Sequence, residues 1–375
     1  MTSSSSEQSK SRAIDIAQTD RPLPLHWLSG SLKYTDFEPL TEGGTAVLQT
    51  CLDKNLHRRV VFKTLHPHLR DSELENNRFL REARVTAMIP HPGTVPVYEI
   101  GRDRKGVLFF TMKKLEGKDL SKILSAINAG DRQTLDEFPR PALIDVVIQA
   151  CQTVAYAHAT GVIHRDLKPA NILVGEFAEV TVIDWGLAKV HGEKPSVEVE
   201  QAIEEAVEGK DAVSMELTQP GRRYGTPLYM SPEQACADPN IDERSDVYNL
   251  GSILFEILTG KNLVVGTTVE EAMEQILKRD VPIPHEISPD REIPSTLEAI
   301  CLKALARDPE DRYQSVQTLG DDLIAHRSGE AVSVCLPSAF TRLMRWQNRH
   351  ALAVTAAISA ALGALGMLIL VLLFG

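Results

Sequence analysis

Apolar residues in the first third of the chain follow the pattern of short strands around one helix. Residues 59–65 and 107–112 are apolar-rich runs that predict two of the strands. Residues 72–88 place apolar side chains at helical spacing, and this stretch ends near Pro90, where a helix would stop. We therefore expect a region built mainly of strands, with one helix between them.

From residue 120 onward the apolar positions recur mainly at helical spacing. The longest early pattern covers residues 141–160, whose apolar side chains lie on or near one stripe of a helix. An acidic stretch at 191–220 interrupts this order with eight Asp or Glu residues against two Lys. Such a run is typical of a solvated loop or an exposed helix.

Residues 351–375 contain no charged side chain, and their polar side chains are Thr355 and Ser359. As a helix they would span roughly 37 Å, which exceeds the bilayer core of about 30 Å. Cations and a tryptophan precede them, namely Arg342, Arg345, Trp346, Arg349 and His350. This pattern predicts a membrane-spanning helix with a cytoplasmic N-terminal flank, against the alternative of a buried terminal helix in a soluble protein. Small residues at helical spacing, Ser359 and Gly363, are compatible with a homodimer contact.

Charge and cysteine content limit the class of protein. The 40 Lys and Arg residues against 51 Asp and Glu give a formal net charge of −11, which argues against a nucleic-acid partner because such proteins are usually basic. The five cysteines form no CxxC pair and no metal-ligand spacing, so we expect reduced thiols in a cytoplasmic compartment. The polar N-terminus predicts a disordered tail and lacks the apolar core of a signal peptide.

Candidate chemistry is concentrated between residues 164 and 186. The chain reads HRDLKPAN at 164–171 and VIDWG at 182–186. Phosphoryl transfer needs a carboxylate to receive the proton of the attacking hydroxyl, oxygen ligands for Mg²⁺, and cations against the phosphate charge. This stretch supplies each kind: Asp166 as the base, Lys168 near the γ-phosphate, and Asn171 and Asp184 as metal ligands.

These motifs resemble those of the eukaryotic-type protein kinases, and most of all the bacterial serine/threonine branch. The resemblance runs from about residue 37 to about residue 326. It implies a two-lobed α+β fold, in which an N-lobe has a five-stranded antiparallel sheet and one helix, called helix C in the family, and the C-lobe is mainly helical. It also implies that ATP binds between the lobes with Mg²⁺, or with Mn²⁺ in its place, and that Ser and Thr hydroxyls of proteins are phosphorylated.

The predicted organisation follows from this resemblance and from the terminal patterns. The chain is divided into a disordered tail (1–34), a kinase domain (35–326), a basic juxtamembrane segment (327–350) and a transmembrane helix (351–375). The kinase domain consists of an N-lobe (35–115) and a C-lobe (116–326), and the C-lobe contains an acidic activation-segment insertion (191–220). We expect a single-pass protein of the cell membrane whose kinase domain is cytoplasmic.

The resemblance assigns nucleotide-binding roles in the N-lobe. Lys63, in VVFK at 60–63, would hold the α- and β-phosphates and form an ion pair with Glu82. The family's GxGxxG loop is degraded here, since Thr41 and Ala46 replace its first and third glycines, and this predicts weaker clamping of the nucleotide. The remaining implied nucleotide contacts are Gly43, Gly44, Leu48, Val61, Met112 as gatekeeper, Asp119 toward the ribose, and Leu173.

The sequence GTPLYMSPE at 225–233 resembles the end of a kinase activation segment, and we call residues 226–233 the substrate platform. The resemblance implies that Glu233 is buried against Arg312 and that Asp246 ties down the loop carrying Asp166. The position of Lys168 and of Thr226 favours serine/threonine over tyrosine substrates. Candidate autophosphorylation sites are Ser214, Thr218 and Thr226, with Thr218 preferred, and Arg165 would pair with the phosphate.

Two other functions account for parts of the pattern. A nucleotide-binding pseudokinase or scaffold is favoured by Thr41, Ala46 and Val61, but the complete set of catalytic residues opposes it. A small-molecule kinase of similar fold is opposed by the substrate platform, which serves peptides.

Overall fold

A computed structural model describes residues 29–42, 44–190, 227–236, 238–265 and 268–334. The N-terminal part is a five-stranded sheet in the order β1-β2-β3-β5-β4, in which each neighbouring pair is antiparallel. Its strands are β1 (Tyr34–Glu42), β2 (Ala46–Asp53), β3 (Arg58–Leu65), β4 (Val97–Arg102) and β5 (Leu108–Lys113). The predicted five-stranded antiparallel sheet is therefore confirmed.

Alternating side chains of this sheet form two small cores. Phe109 and Phe110 are adjacent in β5 and point to opposite faces, as successive strand residues do. Phe109 stacks on Phe62 with ring centroids 4.5 Å apart. The ring centroids of Phe110 and Phe79 lie 4.9 Å apart. Phe79 belongs to helix α1 (Glu73–Ala87), which is the predicted helix between the strands. This packing fixes α1 against the sheet.

The C-terminal part is mainly helical. Its helices are α2 (Leu120–Asn128), α3 (Arg132–Glu137), α4 (Arg140–Ala159), α5 (Pro232–Ala235), α6 (Arg244–Thr259), α7 (Val269–Lys278), α8 (Pro284–Ile287), α9 (Ser295–Ala304) and α10 (Val316–Ser328). Helix α6 is buried on nearly every side, and its apolar residues, such as Ile253, Leu254 and Phe255, belong to the main core. A Cβ at Gly251 would lie 2.9 Å from the Ala304 Cβ, so this glycine lets α6 and α9 approach closely.

Short strands in the C-terminal part carry the loops with the candidate chemistry. Strands β6 (Lys118–Asp119), β8 (Ile172–Val174) and β9 (Val180–Val182) form one sheet, and β7 (Val162–Ile163) pairs with β10 (Lys189–Val190). The catalytic loop, residues 164–171, connects β7 to β8. The DWG loop, residues 184–186, follows β9. Both loops therefore emerge from one compact strand cluster.

Ordered structure extends beyond both predicted boundaries of the kinase domain. Tyr34 is buried and its hydroxyl bonds Glu99 and Thr111, so the domain begins inside the residues assigned to a disordered tail. At the other end α10 continues to Ser328, and Val334 packs on the main core. The predicted bounds of 35–326 stay a prediction, with packed chain at Tyr34 before them and up to Val334 after them.

Several predictions fall outside the described residues. They concern residues 1–28 of the predicted tail, Gly43, the whole acidic insertion (191–220) with Ser214 and Thr218, Thr226, most of the juxtamembrane segment, and residues 351–375. In the part of the chain that the structure describes, no helix has both the length and the apolar character needed to cross a membrane.

Candidate active site

In the catalytic loop, two of the predicted residues contact the carboxylate of a third, Asp166. The Lys168 Nζ lies 2.7 Å from Asp166 Oδ2, and both side chains are about a fifth exposed. The Asn171 side-chain amide donates to the Asp166 carbonyl oxygen at 2.7 Å and to Oδ2 at 3.1 Å. Asp166 is thus oriented from two sides and still open to a substrate.

Asp246 of α6 holds the backbone of this loop, as the sequence predicted. Its carboxylate accepts hydrogen bonds from the backbone N–H groups of His164 (2.8 Å) and Arg165 (2.9 Å). It also contacts the His158 ring at 2.7 Å and is completely buried. Burial alone would raise the pKa of Asp246, but His158, His164 and the amide bonds outweigh it and hold the pKa below its usual range.

His164 connects the catalytic loop to the DWG loop. Its Nδ1 accepts from the Asp166 N–H at 3.2 Å, and its Nε2 lies 3.2 Å from the Ile183 carbonyl oxygen. An amide N–H can only donate and a carbonyl can only accept, so the proton of the neutral ring is on Nε2. The ring packs against Trp185, which is fully buried.

Asp184 is brought beside the catalytic loop by a backbone contact. The Ile183 N–H donates to the Asn171 carbonyl oxygen at 2.9 Å, which joins the two candidate metal-binding segments. Asp184 is buried, and burial favours its neutral form. The nearby Lys63 and Lys168 charges and the Gly186 N–H oppose this and lower the pKa of Asp184. The carboxylate is therefore charged at neutral pH, as a metal ligand must be.

The predicted ion pair between β3 and α1 is present. Lys63 Nζ lies 2.5 Å from Glu82 Oε1, and the two side chains are 14% and 15% exposed. A Cβ at Gly186 would lie 3.3 Å from Asp184 Oδ1 and 4.0 Å from Glu82 Cγ. Gly186 therefore lies between the Asp184 carboxylate and the Glu82 side chain, which brings the DWG loop close to the ion pair.

Several residues predicted to contact the nucleotide lie opposite one another on neighbouring strands. Val61 of β3 is directly opposite Met112 of β5, and Leu48 of β2 is opposite Lys63. In the other lobe, Leu173 of β8 is paired with Asp119 of β6. Gly44 lies in the turn between β1 and β2. The strand pairing therefore arranges these predicted residues in two patches, one in each lobe.

Asp119 has a local role that the sequence interpretation missed. Its carboxylate caps α2 by accepting from the Lys122 N–H at 2.9 Å and from the Ser121 hydroxyl at 2.6 Å. Burial opposes ionisation, but Lys122 and Ser121 outweigh it and lower the pKa of Asp119. An aspartate directly before a helical pattern is itself an N-cap signal. A ribose would therefore compete with the cap for this carboxylate.

Glu233 and Arg312 form the predicted buried pair at the end of the substrate platform. Two parallel contacts join them, at 2.6 and 2.8 Å, and the Ser245 hydroxyl adds a bond of 2.7 Å to Glu233. Burial would raise the pKa of Glu233, but Arg312 and Ser245 reverse this and lower it.

Gln234, the residue after Glu233, was not singled out from the sequence. Its side-chain Nε2 donates to the Arg165 carbonyl oxygen at 2.5 Å, which links the end of the platform to the catalytic loop. A capping-box pattern, Ser231 with Gln three residues later, was readable as a helix start. The pattern locates Gln234 on a helix but does not reveal its distant partner.

The family of protein kinase domains matches residues 34–324 of this chain. A serine/threonine-protein kinase PknD from Chlamydia pneumoniae is 33% identical over 309 residues, which cover 79% of this chain and 31% of the relative. PknD from Chlamydia felis is 36% identical over 300 residues (79% and 31%), and PknD from Protochlamydia amoebophila is 32% identical over 313 residues (82% and 31%). The chain thus spans less than a third of the length of these relatives. The chain belongs to the protein kinase family, in the bacterial serine/threonine branch that its catalytic-loop motif predicted.

Proposed function

We propose that this chain is a serine/threonine protein kinase that transfers the γ-phosphoryl group of ATP to protein hydroxyls, its own included. The observation that carries the proposal is the nearness of Asp184 to the Lys63–Glu82 ion pair, together with the contacts of His164 that join the DWG loop to the loop bearing Asp166. Protein kinases need this ion pair and the metal-binding aspartate in place at the same time.

Asp166 would orient the substrate hydroxyl and receive its proton. The Asn171 amide fixes the carboxylate, and the adjacent Lys168 ammonium would offset negative charge on the transferred group. Lys63 would hold the nucleotide phosphates, since an ammonium has three donors and the bond to Glu82 uses one.

The residues present suit Mg²⁺. Asp184 is ionised, and the Asn171 amide nitrogen is turned to Asp166, which leaves the carbonyl oxygen of that side chain to bind a cation. Bound Mg²⁺ would neutralise charge on the phosphates. Asp184 and Asn171 are the side chains that would hold it, with Mn²⁺ as a substitute.

Proteins are the substrate class that we propose. The platform is fixed to the C-lobe through Glu233 and Arg312, which favours a preformed docking surface for a peptide rather than a pocket for a small metabolite. Ser214, Thr218 and Thr226 remain our candidates for autophosphorylation.

The decisive experiment compares the full chain with Asp166→Asn in an assay of labelled phosphate transfer from Mg-ATP. We expect the variant to lose at least about 100-fold in turnover while it retains nucleotide binding. Equal incorporation by both proteins would support the rival reading, a nucleotide-binding pseudokinase or scaffold. Mass spectrometry of the wild-type product would identify the modified residues.

We also propose that residues 351–375 anchor the kinase in a membrane, with the kinase domain cytoplasmic and a homodimer contact within the span. Support comes from their uncharged sequence and the cations before them. The full chain should stay in the membrane pellet after alkaline carbonate extraction. Replacement of Leu365 and Leu368 by Arg should release it, whereas Ser359→Ala should not. Extraction of the wild-type chain by carbonate would contradict the anchor.

A further inference from the structure

The peptide group that joins Arg165 to Asp166 is held at both ends. Its N–H, which belongs to Asp166, donates to His164 Nδ1, and its carbonyl oxygen, which belongs to Arg165, accepts from Gln234 Nε2. Because a peptide group is planar, two such contacts fix the orientation of the whole plane. The Cα of the catalytic carboxylate is therefore set by the plane that Gln234 helps to hold.

Arg165 needs this support because its backbone is strained. Its φ of +67° lies in the left-handed region, which residues with a Cβ rarely adopt. Asp246 holds the N–H of Arg165 at 2.9 Å, and Gln234 holds its carbonyl oxygen at 2.5 Å. A strained residue persists only where its surroundings over-determine it. Removal of one of these two contacts would let Arg165 relax.

Gln234 is itself locked by a buried polar network. Its Oε1 accepts from the Ser231 N–H and from the Asn249 side-chain amide, both at 3.0 Å, and the Gln234 side chain is nearly inaccessible to solvent. Asn249 also donates to the Tyr229 carbonyl oxygen at 2.6 Å. All partners of Oε1 are donors and the partner of Nε2 is a carbonyl, so the orientation of the amide is unambiguous.

We infer that Gln234 is a positioning residue for phosphoryl transfer. It couples the position of the substrate platform to the orientation of Asp166. Tyr229 and Ser231 lie in the platform, and Arg165 directly precedes the catalytic carboxylate. The platform can therefore fix the position of the substrate hydroxyl relative to the base, Asp166. This inference rests on the proposed kinase activity, and its test separates the two.

The test uses the full chain and two substitutions. Gln234→Met keeps the approximate volume without the amide, and Gln234→Asn keeps the amide but shortens it by one methylene, so that it no longer reaches Arg165. With myelin basic protein as substrate, we expect each variant to lose at least tenfold in kcat, with the KM for Mg-ATP within twofold of wild type. Asn also guards against failure of the Met variant to fold.

Ser288→Ala is the matched control, because Ser288 is buried in the C-lobe and donates to the Thr259 carbonyl oxygen at 2.8 Å, far in sequence from the catalytic loop. It should leave kcat unchanged. Hydrogen exchange in the peptide covering residues 162–168 should be at least tenfold faster in both Gln234 variants and unchanged in the control.

A folded Gln234 variant that keeps more than half of the wild-type kcat, or that leaves exchange in this peptide unchanged, would overturn the inference. Turnover of wild type no greater than that of Asp166→Asn would instead refute the kinase activity, and the exchange measurement would still decide the role of Gln234.

Discussion

The N-lobe contains the Lys63–Glu82 ion pair and the C-lobe contains the Glu233–Arg312 ion pair, but the two cations are held differently. All five N–H donors of Arg312 are used, two on Glu233 and three on backbone carbonyls, and its side chain is fully buried. Lys63 donates one hydrogen bond to Glu82, which uses one of its three N–H donors, and its side chain is 14% exposed. A cation whose N–H donors are all bonded within the protein has a structural role. A cation with N–H donors to spare can also bind a ligand.

Loss of Arg312 should have the largest effect on stability. Arg312→Met would leave Glu233 buried without its cation, and we expect the free energy of unfolding to fall by about 3–5 kcal/mol. Chemical denaturation of the full chain measures this. Arg327→Met is the control, since Arg327 forms a similar two-contact pair with Asp145 that is well exposed and should change stability by less than about 1 kcal/mol. Equal effects of both substitutions would contradict the contrast between the two pairs.

Lys63→Met should separate activity from stability. We expect turnover to fall by about 100-fold, because a cation that opposes phosphate charge is removed. The free energy of unfolding should fall by less than in Arg312→Met, because Lys63 makes one ion-pair hydrogen bond whereas Arg312 makes five hydrogen bonds. Phosphate transfer and denaturation of the same preparation test both parts. A loss of stability as large as that of Arg312→Met would show that this lysine is structural.

The Glu233 pair predicts a pH dependence with a definite sign. The pKa of Glu233 is lowered in the folded protein from an ordinary value of 4.5, so its contribution is fully present above about pH 5 and is lost as pH falls through the folded pKa. We expect the free energy of unfolding of wild type to exceed that of Glu233→Gln by about 2 kcal/mol at pH 7. This difference should shrink below pH 4.5. Thermal unfolding between pH 7 and pH 3 measures it. If the difference in free energy of unfolding between the two proteins grows toward low pH, the pKa of Glu233 is not lowered by folding.

The sequence revealed those contacts that recur at fixed places in a motif. Lys63 with Glu82, and Glu233 with Arg312, could be paired in advance because each lies in a recognisable short pattern. The bond from Gln234 to Arg165 could not, since it joins residues far apart in the chain and depends on a left-handed φ that no residue type at that position signals.

Local chemistry also produced roles that the motif interpretation overlooked. Asp119 was assigned to a ribose, but its position before α2 makes it a helix cap first. Tyr34 was placed in a disordered tail, although its ring packs edge-on against Phe62 and its hydroxyl bonds Thr111 in the sheet. For Asp119, the N-cap rule for a single residue carried information that the family motif did not.

The smallest effect should come from restoring glycines to the phosphate-covering loop. Thr41 and Ala46 lie inside β1 and β2, and Ala46 is buried opposite Leu65. In Thr41→Gly with Ala46→Gly, closer approach of the backbone to phosphate should lower the KM for ATP about two- to threefold, while strand stability falls by roughly 1 kcal/mol. Steady-state kinetics and denaturation measure the two changes, and kcat should stay within twofold because Asp166 and Lys63 are untouched. A higher KM for ATP would mean that rigid strand residues in this loop matter more for binding than close approach of the backbone to phosphate. The N-lobe would then resemble the C-lobe, where the site depends on a rigid arrangement of residues.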